Sequence, residues 1–392
     1  TTDEQLFRTV AGLNGDFDFL HRNFQWEVSG TYGRSLASTT QNQIVTQNLF
    51  NAVNAVRGSN GAITCAPGYT NATIATKSET CAPLDVFGVN QASQQAVNYV
   101  TAVSRTNQVN SQFDIVADVK GKIVQLPAGA LSFVLGYEHR REGFQFNPGT
   151  FKAGQIQADG TCTPYGNSVC ETAVSGAYHT HEAFGELDAP LISPQMHVAG
   201  VYNLALHSAG RYVYNSMTGG FWTWTAGAAY SPTRDITFRG NYTRSLRAPS
   251  VTELFAPQAS VYDDGADPCD YGSINGGSHP AIRAANCAKA GVPKGFVSRI
   301  SSSSVLGTSG GNPHLQNEAA NSFTGGVLIR PRPVSGLMIQ ADYVDILIKH
   351  EIADLGISDV MDACYDSASY PSNSWCNQFT RDPNTHEITN FT

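Results

Sequence analysis

Charge is scarce in this 392-residue chain: Asp, Glu, Lys and Arg together make up 14% of it, against roughly 25% in a soluble domain. Basic excess is missing too, since the formal net charge is −8, so the electrostatic footprint of a nucleic-acid binder is absent. No apolar run approaches the roughly 20 residues of a membrane-spanning helix, which excludes a helical membrane protein. The opening TTDEQLFRTVAG contains no basic region followed by an apolar stretch. It is expected to follow a removed leader or to lie inside a longer protein. No C-x-x-C pair supports zinc, and neither a metal nor a cofactor is expected.

What the chain has instead is period-two alternation, which places successive side chains on opposite faces of a strand. Phe24, Trp26, Val28, Gly30 and Tyr32 alternate with Gln25, Glu27, Ser29 and Thr31. Leu131, Phe133, Leu135 and Tyr137 oppose Ser132, Gly136, Glu138, Arg140 and Glu142. The pattern returns with Phe113, Ile115, Ala117 and Val119, with Trp222, Trp224, Ala226, Ala228 and Tyr230, and with Ile236, Phe238 and Tyr242. Fainter alternation lies near 4–13, 178–190, 196–212, 321–330 and 337–350. About ten antiparallel strands result, many near the 9–11 residues that a tilted strand needs to cross a bilayer. One face suits lipid and the other suits water.

Connections sort by length. Residues 126–129, 189–194, 231–235 and 330–336 read as short Pro- or Gly-rich turns. The segments 34–111, 143–177, 248–320 and 351 onward are long, with 213–219 a short exception on the same side. This layout, with aromatics such as Tyr32, Tyr137, Tyr230 and Tyr242 at the ends of the apolar faces, predicts a transmembrane β-barrel whose long loops are extracellular. Each long segment holds one cysteine pair. Eight cysteines allow 105 connectivities, and one local pair per loop is the simplest: Cys65–Cys81, Cys162–Cys170, Cys269–Cys287 and Cys364–Cys376. Disulfides place those loops in an oxidising compartment.

The stretch NYTRSLRAPSVTELF resembles the arginine-alanine-proline signature of TonB-dependent outer-membrane receptors. LGYEHRRE at 135–142, HEAFGELDAPL at 181–191, GNPHLQNEAANSFTGGVLIRP at 311–331 and ADYVDILIKHEI at 341–352 resemble the same family in the same order. The resemblance implies a plugged barrel of about 22 strands in the bacterial outer membrane. It would take up a scarce, bulky nutrient (siderophore, cobalamin or saccharide) with energy from an inner-membrane TonB complex. No plug and no partner-contacting segment is recognisable, so residues 1–392 are expected to form part of such a barrel domain. A passive porin-like channel or an adhesin is the alternative, and a soluble all-β enzyme or binding module is disfavoured because its outward faces would bare Trp and Phe. The chain is not expected to be an enzyme: GTSGG at 307–311 fits a nucleophile-elbow pattern at Ser309 but lacks the apolar strand before it and the helix after it.

Candidate site residues follow. Arg247, Ala248, Pro249, Glu253, Leu254 and Phe255 carry the family motif, with Pro249 ending the strand and Arg247 close enough to Glu253 for a local ion pair. Glu138, Arg140, Glu182, Glu186 and Arg239 should face the lumen, packing on a plug, holding water or touching ligand. Tyr262, Tyr365 and Trp375 either stack on an external ligand or cover their own loop's small core. His179 and His181 share a strand face but lack a third metal ligand nearby in sequence. Leu49, Val53 and Val56 predict a short loop helix over 46–56, packed on that face.

Overall fold

The computed structural model describes all 392 residues. Ten strands form one antiparallel sheet in strict chain order. They are β1 (Thr2–Phe19), β2 (Arg22–Ile44), β3 (Thr101–Leu126), β4 (Gly129–Asn147), β5 (Val174–Ile192), β6 (Asn203–Asn215), β7 (Gly219–Ser231), β8 (Ile236–Arg247), β9 (Glu318–Ile329) and β10 (Ile339–Lys349). Successive strands meet by short connections at one end of the sheet, such as Leu20–His21 and residues 127–128. At the other end they run into residues 45–100, 148–173, 216–218, 248–317 and 350–392. The sheet is open, with β1 and β10 as its edges.

Register fixes the two faces. Glu138 pairs with Glu182 and Val116, and Arg211 with Phe184 and Thr223, so these side chains share the face called inward here. On the opposite, outward face, β2 to β9 carry no Asp or Glu at any position. Leu135, Trp222 and Phe238 stand exposed there at 63%, 61% and 48%. Burying carboxylates in hydrocarbon is costly, and their removal from eight neighbouring strands fits a lipid-facing surface.

Outward aromatics form two rows. Near the short turns, Phe17 and Phe24 lie 5.5 Å apart, Phe24 and Phe133 6.0 Å, and Tyr230 and Phe238 6.4 Å. Nearer the long loops, Phe7 and Tyr32 lie 6.5 Å apart, Tyr212 and Trp222 5.2 Å, and Trp224 and Tyr242 5.4 Å. Two such rows bounding an apolar band are the girdles of a membrane barrel.

Protein-like cores occur only among the loops. Helices α1 (Thr46–Val53), α2 (Gln94–Val100), α3 (Gly149–Ala153), α4 (Val251–Phe255), α5 (Pro280–Lys289) and α6 (Ile357–Tyr365) all lie there. A four-stranded sheet joins Ala259–Asp263, Val305–Ser309, Ile388–Phe391 and Phe379–Arg381, so residues 248–317 and 350–392 fold together as one cap. Ile300, Ile357, Met361, Ile388 and Phe391 form its core. All four local disulfides are present: Cys65–Cys81, Cys162–Cys170, Cys269–Cys287 and Cys364–Cys376.

Several sequence expectations need correction. Residues 34–44 and 101–111 are paired strand rather than loop, and β5 continues to Ile192 through the segment read as a turn. Likewise β4 and β5 extend into 143–177, and β1 covers 2–19 rather than 4–13. The strand expected at 196–212 lies at Asn203–Asn215, behind a short 3-10 turn at Pro194–Met196. Beyond the bilayer both faces of a strand meet water, so alternation fades while pairing persists. Ser309 ends a five-residue strand with no helix after it. Helix α1 stops at Val53 and buries Asn48, Asn51 and Ala52, leaving Val53 exposed, because Asn48 and Asn51 donate to the Tyr99 carbonyl (2.9 Å) and hydroxyl (2.8 Å).

Candidate functional site on the inner wall

The inward face collects the acidic and basic side chains that the outward face lacks. Glu138 on β4 lies directly across from Glu182 on β5, and both are buried, at 5% and 7% exposure. Two carboxylates so placed repel, and the neighbouring strand offsets this. Arg211 on β6 donates through Nη1 to Glu138 Oε2 at 2.8 Å and to Glu182 Oε2 at 2.6 Å. Its guanidinium lies 4.5 Å from the centroid of the Phe184 ring, a cation–π contact. Arg140 donates to the second Glu138 oxygen, and the Thr180 hydroxyl donates to Glu182 Oε1 at 2.8 Å. Beside them, Asp114 on β3 pairs in register with Arg140, and its Oδ1 is buried without a hydrogen-bond partner.

Arg211 and Asp114 were not among the sequence candidates. Arg211 lies inside the faint alternation read near 196–212, but the small residues Ala205, Ser208, Ala209 and Gly210 before it leave the two faces of that strand hard to tell apart. Further along the wall, Arg239 on β8 grips Asp342 on β10 through Nε at 3.0 Å and Nη2 at 2.7 and 2.8 Å, across the intervening β9. Glu186 shares the inward face and is exposed.

The family-motif stretch builds a separate piece at the long-loop end. β8 ends at Arg247; Ala248 and a fully buried Pro249 follow, and Ser250 starts α4. Ser250 Oγ accepts from the Glu253 N–H at 3.2 Å while Glu253 Oε2 accepts from the Ser250 N–H at 2.7 Å, a complete capping box. Arg247 Nη1 donates to both Glu253 oxygens at 3.1 and 3.0 Å, and its Nε donates to Glu318 at the start of β9. Burial pushes the Glu253 carboxyl up, but hydrogen bonds from the Ser250 N–H and Arg247 outweigh it and hold the group below its ordinary range. Leu254 is 2% exposed. The Phe255 ring rests on Gly176 of β5 so closely that a Cβ there would sit 2.2 Å from it. Gly176 has the parity of Glu182, so α4 folds inward over the wall, and the Asn312 N–H bonds the Glu253 carbonyl at 2.8 Å.

Loop aromatics divide by burial. Tyr365, 2% exposed, packs with Cys269, Cys287 and Cys364, which removes it as a contact for an external ligand. Burial pushes its hydroxyl up to about 12. Arg381 donates to that hydroxyl at 2.9 Å and clamps the buried Asp267 at 2.8 and 2.7 Å. Tyr262 and Trp375 stay exposed at 48% and 38%, and the Tyr262 hydroxyl accepts from Asn167 Nδ2 of the neighbouring loop at 2.5 Å. His179 and His181 lie outward, away from the inner wall, and no group of His, Cys, Asp and Glu here has the arrangement of a metal site.

The family model described as "TonB dependent receptor-like, beta-barrel" matches residues 1–382. No curated protein matches the chain. Among solved structures, a mutant of the ferric enterobactin receptor PfeA from Pseudomonas aeruginosa is similar at 12% identity and a TM-score of 0.43, covering 88% of this chain and 35% of that one. The siderophore receptor PirA from Acinetobacter baumannii is similar at 11% identity and a TM-score of 0.41, covering 84% and 33%. The chain thus spans about a third of the length of these structures. With the family model matched along nearly its whole length, the chain belongs to the TonB-dependent receptor-like β-barrel family.

Proposed function

We propose that residues 1–392 form part of the wall of an outer-membrane receptor that actively takes up a scarce, bulky nutrient of the siderophore, cobalamin or saccharide class. In this reading the outward face of β2 to β9 meets lipid, the long loops are extracellular, and other segments supply a plug, the strands that cover the edges β1 and β10, and the contact with an inner-membrane TonB complex. An open edge in lipid costs several kcal/mol for each unsatisfied backbone group, so this sheet works only as part of a closed wall. The observation that carries the reading is α4, which the motif stretch folds inward over the charged wall. A passive channel has no need of a braced helix over its lumen, whereas a receptor needs a shaped mouth above an ion-paired surface that can hold a plug or a polar ligand. On the loop side, Tyr262 and Trp375 are the aromatics placed to stack on a ligand.

The test is uptake by cells expressing the full-length gene, with ferric siderophores, cobalamin and oligosaccharides supplied in turn under limitation. Accumulation of one class that stops when the TonB complex is deleted supports the reading. Accumulation that persists without that complex identifies a passive channel and overturns it.

A further inference from the structure

The outward face carries a second cluster that plays no part in the inner wall. On β4 and β5, Arg141 pairs with His179 and His139 with His181. The imidazole centroids are 4.6 Å apart for His139 and His181, 5.4 Å for His179 and His181, and 6.3 Å for His139 and His179. Arg141, His179 and His181 are exposed. Arg34 is also outward and exposed, one register row nearer the loops and two strands away on β2, or roughly 10 Å at ordinary strand spacing.

Height places this cluster. His139 lies ten residues above Gly129 along β4, which at about 3.3 Å per residue and a tilt near 40° is roughly 25 Å, the height of the apolar band of such barrels. Tyr137, two residues below His139 on the same outward face, shares a register row with Tyr212 and Trp222 of the upper aromatics, so the cluster stands just above the hydrocarbon, at headgroup level. No carboxylate faces outward between β2 and β9 to neutralise it.

Two contacts orient the rings. Tyr137 Oη lies 2.6 Å from His181 Nδ1, and His139 Nδ1 lies 3.0 Å from the Thr180 carbonyl. A carbonyl only accepts, so His139 Nδ1 carries a proton and Nε2 becomes a donor only in the imidazolium form. The groups facing the imidazoles are Arg141 and Tyr137 on β4 and Tyr214 on β6; the facing β3 positions are Phe113 and Ile115. Arg141 is the one charged group among these, so no carboxylate faces the imidazoles.

We propose that Arg141, His139, His179 and His181, flanked by Arg34, form a binding site for the phosphate of an anionic lipid headgroup in the leaflet on the long-loop side. The proposal rests on the outer-membrane placement argued above. Phosphate suits the cluster because the Arg141 guanidinium and three imidazoles converge on one outward patch, and a lipid suits it because acyl chains would lie along the apolar band directly below.

The test uses purified full-length receptor in detergent, with lipid retention followed by native mass spectrometry. Phosphatidic acid is the probe, diacylglycerol with the same chains the phosphate-free control, and inorganic phosphate the competitor. Retention of phosphatidic acid should exceed that of diacylglycerol and resist inorganic phosphate. R141Q combined with H179Q and H181Q should weaken retention by about tenfold or more, since a charge near an anionic surface contributes on the order of 1 kcal/mol and a hydrogen bond to an ionised group about 1.5–3 kcal/mol. R244Q, which alters an outward arginine four strands away on β8, should change nothing. Heat-shifted gel mobility verifies that each variant is folded. Equal retention by the triple variant, or displacement by inorganic phosphate alone, overturns the lipid site. Nutrient uptake should survive in the triple variant, so loss of the lipid site and failure of the uptake reading register in different assays.

Discussion

Removing Arg211 should expose how much the inner wall depends on one guanidinium. Its Nη1 donates to both Glu138 and Glu182, so the two carboxylate oxygens can be no further apart than the sum of those bonds, about 5.4 Å. At that distance two like charges repel by about 3 kcal/mol at an effective dielectric of 20, and by about 0.8 kcal/mol in bulk water. The carboxylates are 7% and 9% exposed in their side chains, but Arg211 is 35% exposed, so water entering the vacated space screens part of the repulsion. R211M should therefore lower stability by about 2 kcal/mol, below the 3–5 kcal/mol typical of a fully buried pair broken on one side. E182Q added to R211M removes one of the two charges and should restore roughly half of the loss. The assay is urea unfolding of the full-length receptor in detergent, followed by tryptophan fluorescence. A single R211M variant as stable as the parent, or a double variant weaker than R211M alone, would refute the argument that Arg211 offsets carboxylate repulsion.

Three further outcomes follow from local geometry. The β1–β2 hairpin turns through Leu20 and His21 at φ 52° and 58°, a left-handed pair that favours Asn-Gly; L20N with H21G should raise stability by about 1 kcal/mol, and a lower urea midpoint would count against that turn. G176A places a Cβ 2.2 Å from the Phe255 ring and S250A removes the cap of α4, worth about 1 kcal/mol; each should speed hydrogen exchange over 250–256, and unchanged exchange in both would show that α4 is not held by these contacts. Asp366 is held below its ordinary value of 3.8 first by the hydrogen bond from Arg283. A depressed carboxylate contributes stability above its unfolded value that is lost as pH falls through the folded one, so the cap should loosen only below about pH 4, more steeply than in D366N, as read by protease sensitivity of residues 278–290.

Much of the fold was legible because hydrocarbon imposes period-two alternation, and Trp26, Phe133, Trp224 and their neighbours obey it. The same physics explains where reading failed. Above the bilayer, the Ser-, Thr- and Gln-rich strands at 34–44 and 101–111 carry no apolar face to reveal their pairing. The cysteine pairs were readable since one local bridge per loop is the simplest solution, but the joint cap formed by 248–317 and 350–392 was not, because its sheet joins segments some 80 residues apart in sequence. At the inner wall, Glu138 and Glu182 were visible by parity. Their mutual opposition needed the register, and Arg211 sits in a strand whose small residues on both faces blur its parity. Asn48 and Asn51 misled the reading of α1, since buried polar hubs leave no hydrophobic stripe.

The unequal strand lengths give the wall a skyline. β2 and β3, 23 and 26 residues long, pair as far as Ile44 and Thr101, whereas β6 and β7 turn over at 216–218, immediately beyond the upper aromatics. Ten extra residues of tilted strand raise the first hairpin by roughly 25 Å. If the long loops are extracellular, as proposed above, a large solute or an antibody drifting along the cell surface would meet a tall screen on one flank and a low sill on the other, and its approach would be steered by the silhouette of the wall before any side chain is touched.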